Sequence, residues 1–265
     1  MQLDGKAELL RRRLQGYGRV GVAFSGGADS SLLLRAAVDA LGTENVLALH
    51  ARSCLQKREE QERTMSWPQR HNCLVQLRLV KIQPLDWPDF AANPPERCYC
   101  CKRRVYSRFL ELLANEGIEM LLDGTNTDDL QQGEAGRPGL RAVAELSVQT
   151  PLADCGLSKA DVRELSRRLN LDTWDQPSGS CLATRIPAGL AVTAERLVLV
   201  ATMEQVLAEA GFFGCRVPLL DEKTVCIQLA EKDIGRQSAL AMLRKLRGLL
   251  KSRGIGKIFL DLDGR

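Results

Sequence analysis

The amino-acid sequence predicts an α/β fold, a doubly wound parallel sheet followed by a small α+β domain. Three observations carry that prediction. Short apolar runs alternate with helical patterns through the first half of the 265-residue chain. Segments at Ser25, Ala51 and Gly124 each follow a predicted strand directly, which is where ligands bind in open α/β sheets. Near residue 188 the order changes to α-β-β-α-β. The predicted domains are residues 1–188 and 189–265.

Residues 7–15 read as an amphipathic helix with a basic face. Residues 20–24 form a short apolar run after glycine, the mark of a buried parallel strand. A glycine turn over 25–30 leads into a helix at 31–41 that Gly42 closes. Strands are predicted over 46–51 and 74–82, around a charged helical stretch at 56–72. Residues 84–101 read as a loop rich in proline and tryptophan, too long for a plain linker. A helix at 102–116 and a strand at 120–123 follow. Ser158 and Asp161 make an S-x-x-D capping box for a helix at 158–169. Residues 177–189 read as a second unusual loop. The C-terminal part then runs as a helix at 193–210, a hairpin around 221–223, a helix at 238–253 and a strand at 257–262. Alternating strands and helices with right-handed crossovers imply the parallel sheet.

Composition excludes several classes. Hydrophobic residues make up 45% and charged residues 26%, ordinary globular usage. No run of 18 apolar residues predicts a membrane span. The first residues lack the apolar region of a secretory signal, so a cytoplasmic location is expected and no membrane partner. Thirty-seven basic against 33 acidic residues do not call for nucleic acid. Nine cysteines in a chain without an export signal point to core positions, metal ligands or reactive thiols rather than disulfides. His50 and His71, the only two histidines, lack zinc-hydrolase spacing.

Ser25-Gly26-Gly27-Ala28-Asp29-Ser30 lies between a strand and a helix. Glycines let backbone N–H groups approach an anion, and the helix N-terminus adds favourable charge. Ser25 and Ser30 add hydroxyl donors, and Asp29 beside phosphates suits Mg²⁺. There is neither G-K-[ST] nor G-x-G-x-x-G. A simple glycine turn capping the helix is the alternative. The S-G-G-x-D-S string resembles the loop of the PP-loop ATPases, which implies cleavage of ATP between its α and β phosphates.

Cys98 and Cys101 form a C-x-x-C pair with Cys100 between them. At a helix start such a pair suits thiolate ligands. Two cysteines do not complete a zinc or iron–sulfur site, so a redox pair or incidental spacing stays open. Cys181 lies in a Gly/Ser setting near Arg185, as a nucleophile or a structural cysteine. Cys54, Cys73, Cys155, Cys215 and Cys226 show no ligand spacing, and Cys73, Cys215 and Cys226 are expected in the core.

Four further motifs make the resemblance specific. N-P-P-E-R-C-Y-x-C-K at 93–102, D-G-T-N-x-D-D-L at 123–130, R-P-G-L-R-A at 137–142 and W-D-x-P-S-x-x-C-L-A-[ST]-R-I-P-x-G at 174–189 together resemble the LarE family. These are ATP-dependent sulfur transferases of nickel-pincer nucleotide biosynthesis. The resemblance implies a small-molecule nucleotide substrate, pyridinium-3,5-biscarboxylic acid mononucleotide. Its carboxylates would become thiocarboxylates through an acyl-adenylate, with ATP and Mg²⁺ as cofactors. In one branch Cys181 gives up its own sulfur. In the other, Cys98, Cys101 and Cys181 hold a [4Fe–4S] cluster whose open iron carries sulfide. Cysteine at all three positions favours the cluster branch.

Matching implies ATP-binding roles for Ser25, Gly26, Gly27, Asp29, Ser30, Ala51, Gly124, Thr125 and Asn126. Catalytic roles fall to Cys181, Asp29 and Ser30. Substrate or phosphate roles fall to Arg137, Arg141, Arg185, Glu204, Arg216 and Asp233. It also implies a homo-oligomer, a hexamer in the family pattern, and an external sulfide or sulfur donor. Pro218 stands where the family carries arginine, Gln149 replaces another, and residues 131–136 lengthen a loop. A PP-loop tRNA thiolase is the alternative enzyme, weakened by an aromatic content of only 5%. A nucleotide-sensing or iron–sulfur carrier protein is the non-enzyme alternative.

Overall fold

The computed structural model describes residues 2–176, 179–235 and 237–263. Pro177 and Ser178 of the fourth motif lie outside them. Contacts divide the chain into two compact units. The first contains residues 1–53, 58–83 and 96–179. The second contains residues 54–57, 84–95 and 180–265, so two short stretches from the N-terminal half fold with the C-terminal part.

The first unit is the predicted parallel sheet. Its strands are β1 (Val20–Ala23), β2 (Val46–Arg52), β3 (Gln76–Lys81) and β4 (Met120–Leu122). Their order is β3-β2-β1-β4, and every neighbouring pair is parallel. All four residues of β1 are buried, as expected of a central strand covered on both faces. Gln149 pairs backbone to backbone beside β4, its N–H donating to Leu121 at 3.0 Å and its carbonyl accepting from Asp123 at 2.8 Å. Leu10, Leu14, Leu32, Leu33, Val162 and Leu165 cover the sheet from three helices in one apolar core. Cys73 and Cys155 belong to that core. Trp67 is fully buried, edge-on to Phe24 with ring centroids 5.4 Å apart.

The chain reverses direction across the sheet between β1 and β4, the strands from which connections run to opposite edges. Such a switch point leaves a crevice at the carboxyl ends of the strands. The segment after β1 begins Ser25-Gly26-Gly27, and the segment after β4 is Asp123-Gly124-Thr125-Asn126. Topology alone therefore sets the two motifs side by side.

Two expected boundaries change. The helix after the Ser25–Gly27 turn spans Ala28–Leu41, so Asp29 and Ser30 lie in its first turn. The cysteine helix spans Arg97–Asn115 rather than beginning at 102, and short helical turns at Pro84–Asp86 and Pro88–Ala91 replace plain loop. Pro94 and Pro95 end the preceding segment, but nothing after them opposes helix. Cys98, Cys100 and Cys101 are therefore helical residues. The buried stripe of this helix runs through Val105, Tyr106, Phe109 and Leu113. Cys98 and Cys101 extend it backwards at helical spacing.

The second unit contains an antiparallel pair, β5 (Leu219–Asp221) and β6 (Thr224–Ile227), with β7 (Lys257–Leu260) parallel to β6. The helices Ala194–Glu209 and Gln237–Ser252 complete the expected α-β-β-α-β order. Cys215 is buried there, and Cys226 is half-buried on β6. Among the described residues no helix is long and apolar enough to cross a membrane.

Candidate active site

His50 on β2 holds the start of the Ser25–Ser30 loop. Its Nδ1 donates to the Phe24 carbonyl at 2.8 Å, and burial lowers its pKa, which keeps the ring neutral. The chain then turns through Gly26 at φ +81°, a left-handed conformation suited to glycine. A Cβ there would stand 2.2 Å from Thr64 Oγ1. Thr64 itself is fixed, its hydroxyl donating to the Glu60 carbonyl at 2.8 Å. Ser25 Oγ and Ser30 Oγ are 3.0 Å apart, and Ser30 Oγ donates to Gly27 O at 3.1 Å. Ser25 and Gly27 are exposed, while Ser30 is buried. The result is a preformed cradle at a helix N-terminus, open on one side, as an anion site requires.

The β4 turn closes on this cradle. A Cβ on Gly124 would lie 3.0 Å from the Ser30 nitrogen and 3.1 Å from the Asp29 carbonyl carbon. A side chain there would force the two backbones apart by a few tenths of an ångström. Asn126 caps the helix Thr127–Gly136 by accepting from Asp128 N and Asp129 N. Its Nδ2 donates to Asp29 Oδ1 at 3.0 Å. Lys159 Nζ lies 2.5 Å from Asp29 Oδ2, and Lys159 N donates to Asp128 at 3.1 Å. Lys159 is the first residue of the helix Lys159–Arg168, whose expected Ser158–Asp161 capping box is present. Sequence reasoning did not select Lys159. Its only local signal is its place directly after a helix cap, 130 residues from its partner.

Asp123 is buried below the turn. It accepts from Thr125 N at 2.8 Å, from the hydroxyls of Tyr106 and Thr125, and from Lys102 Nζ at 3.0 Å. Burial works to raise its pKa. The Lys102 ammonium and the hydrogen bonds from Thr125, Tyr106 and Lys102 outweigh it and hold the carboxyl below its ordinary value. Tyr106 shifts upward through burial and then through the Asp123 charge. Lys102 lies one helical turn beyond Cys98, so Asp123 ties the cysteine helix to the β4 turn. Asp123→Ala would strand the buried Tyr106 hydroxyl and the partly exposed Lys102 ammonium, and is expected to cost about 2–3 kcal/mol of stability by urea unfolding. The depressed carboxyl contributes stability at neutral pH that fades as the pH falls from the unfolded value through the folded one. The Asp123→Ala penalty is therefore expected to shrink in acid.

Cys98 and Cys101 are half-buried, and none of the nine cysteines forms a disulfide. Arg97 Nη2 lies 3.8 Å from Cys98 Sγ. Within the first unit, no third Cys, His, Asp or Glu among the described residues joins them in a metal-holding group. Arg137 pairs with Asp129. Arg141 stacks on Tyr99, 3.5 Å from its ring centroid, and pairs with Glu145 at 3.2 Å. Ala51 is half-buried at the end of β2, opposite Val80.

In the second unit Cys181 precedes the 3₁₀ turn Leu182–Arg185. Arg185 is buried and forks onto Glu204, with Nε to Oε1 at 2.7 Å and Nη2 to Oε2 at 3.1 Å. Its Nη1 donates to the Ser180 carbonyl and to Thr184 Oγ1. Glu204 is fully buried and also meets Lys57 Nζ at 2.6 Å and Val217 N at 3.1 Å. Burial pushes its pKa up, and Arg185 and then Lys57 hold it below the ordinary value. Arg216 pairs through its backbone with Gln228, and Asp233 is buried in the helical turn Glu231–Ile234. Cys54 is exposed.

The chain is 33% identical over 262 residues to the pyridinium-3,5-bisthiocarboxylic acid mononucleotide synthase of Lactiplantibacillus plantarum, covering 99% of this chain and 92% of that one. It is also 33% identical over 262 residues to an uncharacterised protein of Synechocystis sp., covering 99% and 95%. A protein of Methanocaldococcus jannaschii, likewise uncharacterised, is 28% identical over 193 residues, 71% of this chain and 69% of its own length. No family model matches.

Proposed function

The chain belongs to the LarE family, and from that premise we propose that it is an ATP-dependent sulfur transferase. Its substrate would be pyridinium-3,5-biscarboxylic acid mononucleotide, whose ring carboxylates become thiocarboxylates. The observation that carries the ATP half is the meeting of two motifs at the sheet's switch point, Ser25–Ser30 and Gly124–Asn126, around Asp29 and Lys159.

The first step is adenylation. A substrate carboxylate oxygen attacks the α phosphate of ATP, a P–O bond to the β phosphate breaks, and pyrophosphate leaves. The loop N–H groups and the hydroxyls of Ser25 and Ser30 would bind the departing phosphates. Asp29 is the carboxylate that would hold Mg²⁺ beside them, and Lys159 would move from Asp29 to phosphate oxygens as the metal arrives. In the second step sulfur attacks the acyl carbon and AMP leaves with the electron pair of the C–O bond.

For the sulfur, Cys98 and Cys101 fit two ligand positions. They are one turn apart on one helix face, half-buried, at the end of the helix that favours thiolate. Cys181, half-buried in the second unit, would be the third donor that the family resemblance implies. A [4Fe–4S] cluster on these thiolates would supply sulfide from its open iron, replenished by an external sulfur donor. The family pattern further suggests a homo-oligomer, and the cytoplasm as its setting. The test is incubation with ATP, Mg²⁺ and substrate. Pyrophosphate and a product with one oxygen exchanged for sulfur are expected together, and pyrophosphate without any thiocarboxylate would reject sulfur transfer.

A further inference from the structure

Asn93 is fully buried, yet it lies in a connector between proline-rich turns and adopts φ +58°. Left-handed backbone is uncommon outside glycine, and asparagine is among the few residues that tolerate it. Its Nδ2 donates to the carbonyls of Pro187 and Leu190, each at 2.7 Å, and of Ile186 at 3.3 Å. Its own carbonyl accepts from Gly189 N at 2.9 Å, and the neighbouring Ala91 carbonyl accepts from Val192 N at 2.8 Å. Two irregular segments of the second unit are thus joined at one residue.

The joined segment matters for chemistry. It directly follows the turn that presents Cys181. Upstream, Leu182 N donates to Leu55 O at 2.8 Å, and Arg185 anchors the turn on Glu204. Downstream, the Asn93 and Ala91 contacts described above tie the backbone to the 84–95 stretch, while Leu190 N donates to Pro187 O at 3.1 Å and Arg196 Nη1 to Ala191 O at 2.7 Å before Thr193 caps the next helix. Asn93 also stands five residues before Cys98 in the chain. An amide is the side chain that suits both demands, two N–H donors for carbonyls and tolerance of positive φ.

We propose that Asn93 is a positioning residue for sulfur delivery, acting through the backbone that carries Cys181. Its effect on sulfur transfer rests on the function proposed above; its effect on Cys181 does not. Asn93→Gly keeps the left-handed backbone and removes the donors. Asn93→Asp keeps the size and turns donors into acceptors. In both variants pyrophosphate release is expected to stay within twofold of wild type, because the phosphate loop belongs to the other unit. Thiocarboxylate formed per pyrophosphate released is expected to fall at least about fivefold, and alkylation of Cys181 by iodoacetamide to rise by a similar factor, as loss of preorganisation predicts. Buried Cys73 and Cys155 serve as controls for folding and should not change.

A lower melting temperature with Cys181 alkylation and the product ratio unchanged would reduce Asn93 to a structural residue and overturn the inference. If the wild type releases no pyrophosphate, the proposed function fails while the alkylation comparison still decides about Asn93. Should neither variant fold, hydrogen exchange of the wild type replaces them. Amides of Leu182, Gly189 and Val192 are expected to open as one unit, and independent opening of Leu182 would overturn the inference.

Discussion

Asp29→Ala is expected to lower substrate-dependent pyrophosphate release at least about a hundredfold, the scale of removing a group that acts on developing charge. Asp29 lies in the first turn of the helix that follows the Ser25–Gly27 turn, and its two oxygens face Asn126 and Lys159. A carboxylate in that position works against anion binding unless a cation joins it. Its removal should therefore separate binding from turnover. Metal-free ATP is expected to bind Asp29→Ala at least as tightly as wild type, because the Lys159 charge is released toward the loop. Turnover with Mg²⁺ should nevertheless collapse. The fold should survive, since the lost ion pair is partly exposed and pairs of that kind contribute about 1 kcal/mol or less. Equilibrium binding by calorimetry and pyrophosphate release on one preparation check both halves. Full release in the variant would exclude Asp29 from the adenylation step.

Contiguous parts of this site are legible in the sequence because their chemistry is local. Ser25-Gly26-Gly27 and Gly124-Thr125-Asn126 each lie directly after an apolar strand, and a parallel sheet brings the carboxyl ends of its strands to one edge. What the sequence hides are partners that meet only through the fold. Lys159 reads as an unremarked residue after a helix cap, and only packing reveals Asp29 opposite it. Glu204 is singled out in the sequence only by the family resemblance, and nothing local tells that it is fully buried with Arg185 and Lys57 converging on it. Asn93 looks like part of a proline-rich loop, since its three carbonyl partners lie more than 90 residues away. The same prolines disguise the start of the cysteine helix. Composition around Pro94 and Pro95 signals loop, but a proline limits the residue before it and leaves the residues after it able to enter a helix.

That helical start sharpens the expectation for the cysteines. Residues three apart on a helix share a face, while residues two apart do not. Cys98 and Cys101 therefore point together, and Cys100 points elsewhere. Protein purified without oxygen is expected to carry about four iron and four labile sulfides per chain, the content of one cubane cluster. Cys98→Ala, Cys101→Ala and Cys181→Ala should each lose most of the iron, and Cys100→Ala should keep it. A variant set in which Cys100→Ala loses iron and Cys101→Ala retains it would place the ligand on the other helix face. If reconstituted wild type holds no iron, the sulfur must come from a cysteine of the chain itself. Cys181 would then attack the acyl-adenylate as a thiolate, releasing AMP and forming a thioester. Loss of its α proton and cleavage of its Cβ–S bond would leave dehydroalanine and the thiocarboxylate. The intact protein would lose the mass of hydrogen sulfide once per chain and stop after one turnover. Repeated turnover without that mass loss requires a carrier that is recharged, which is the role proposed for a cluster on Cys98, Cys101 and Cys181.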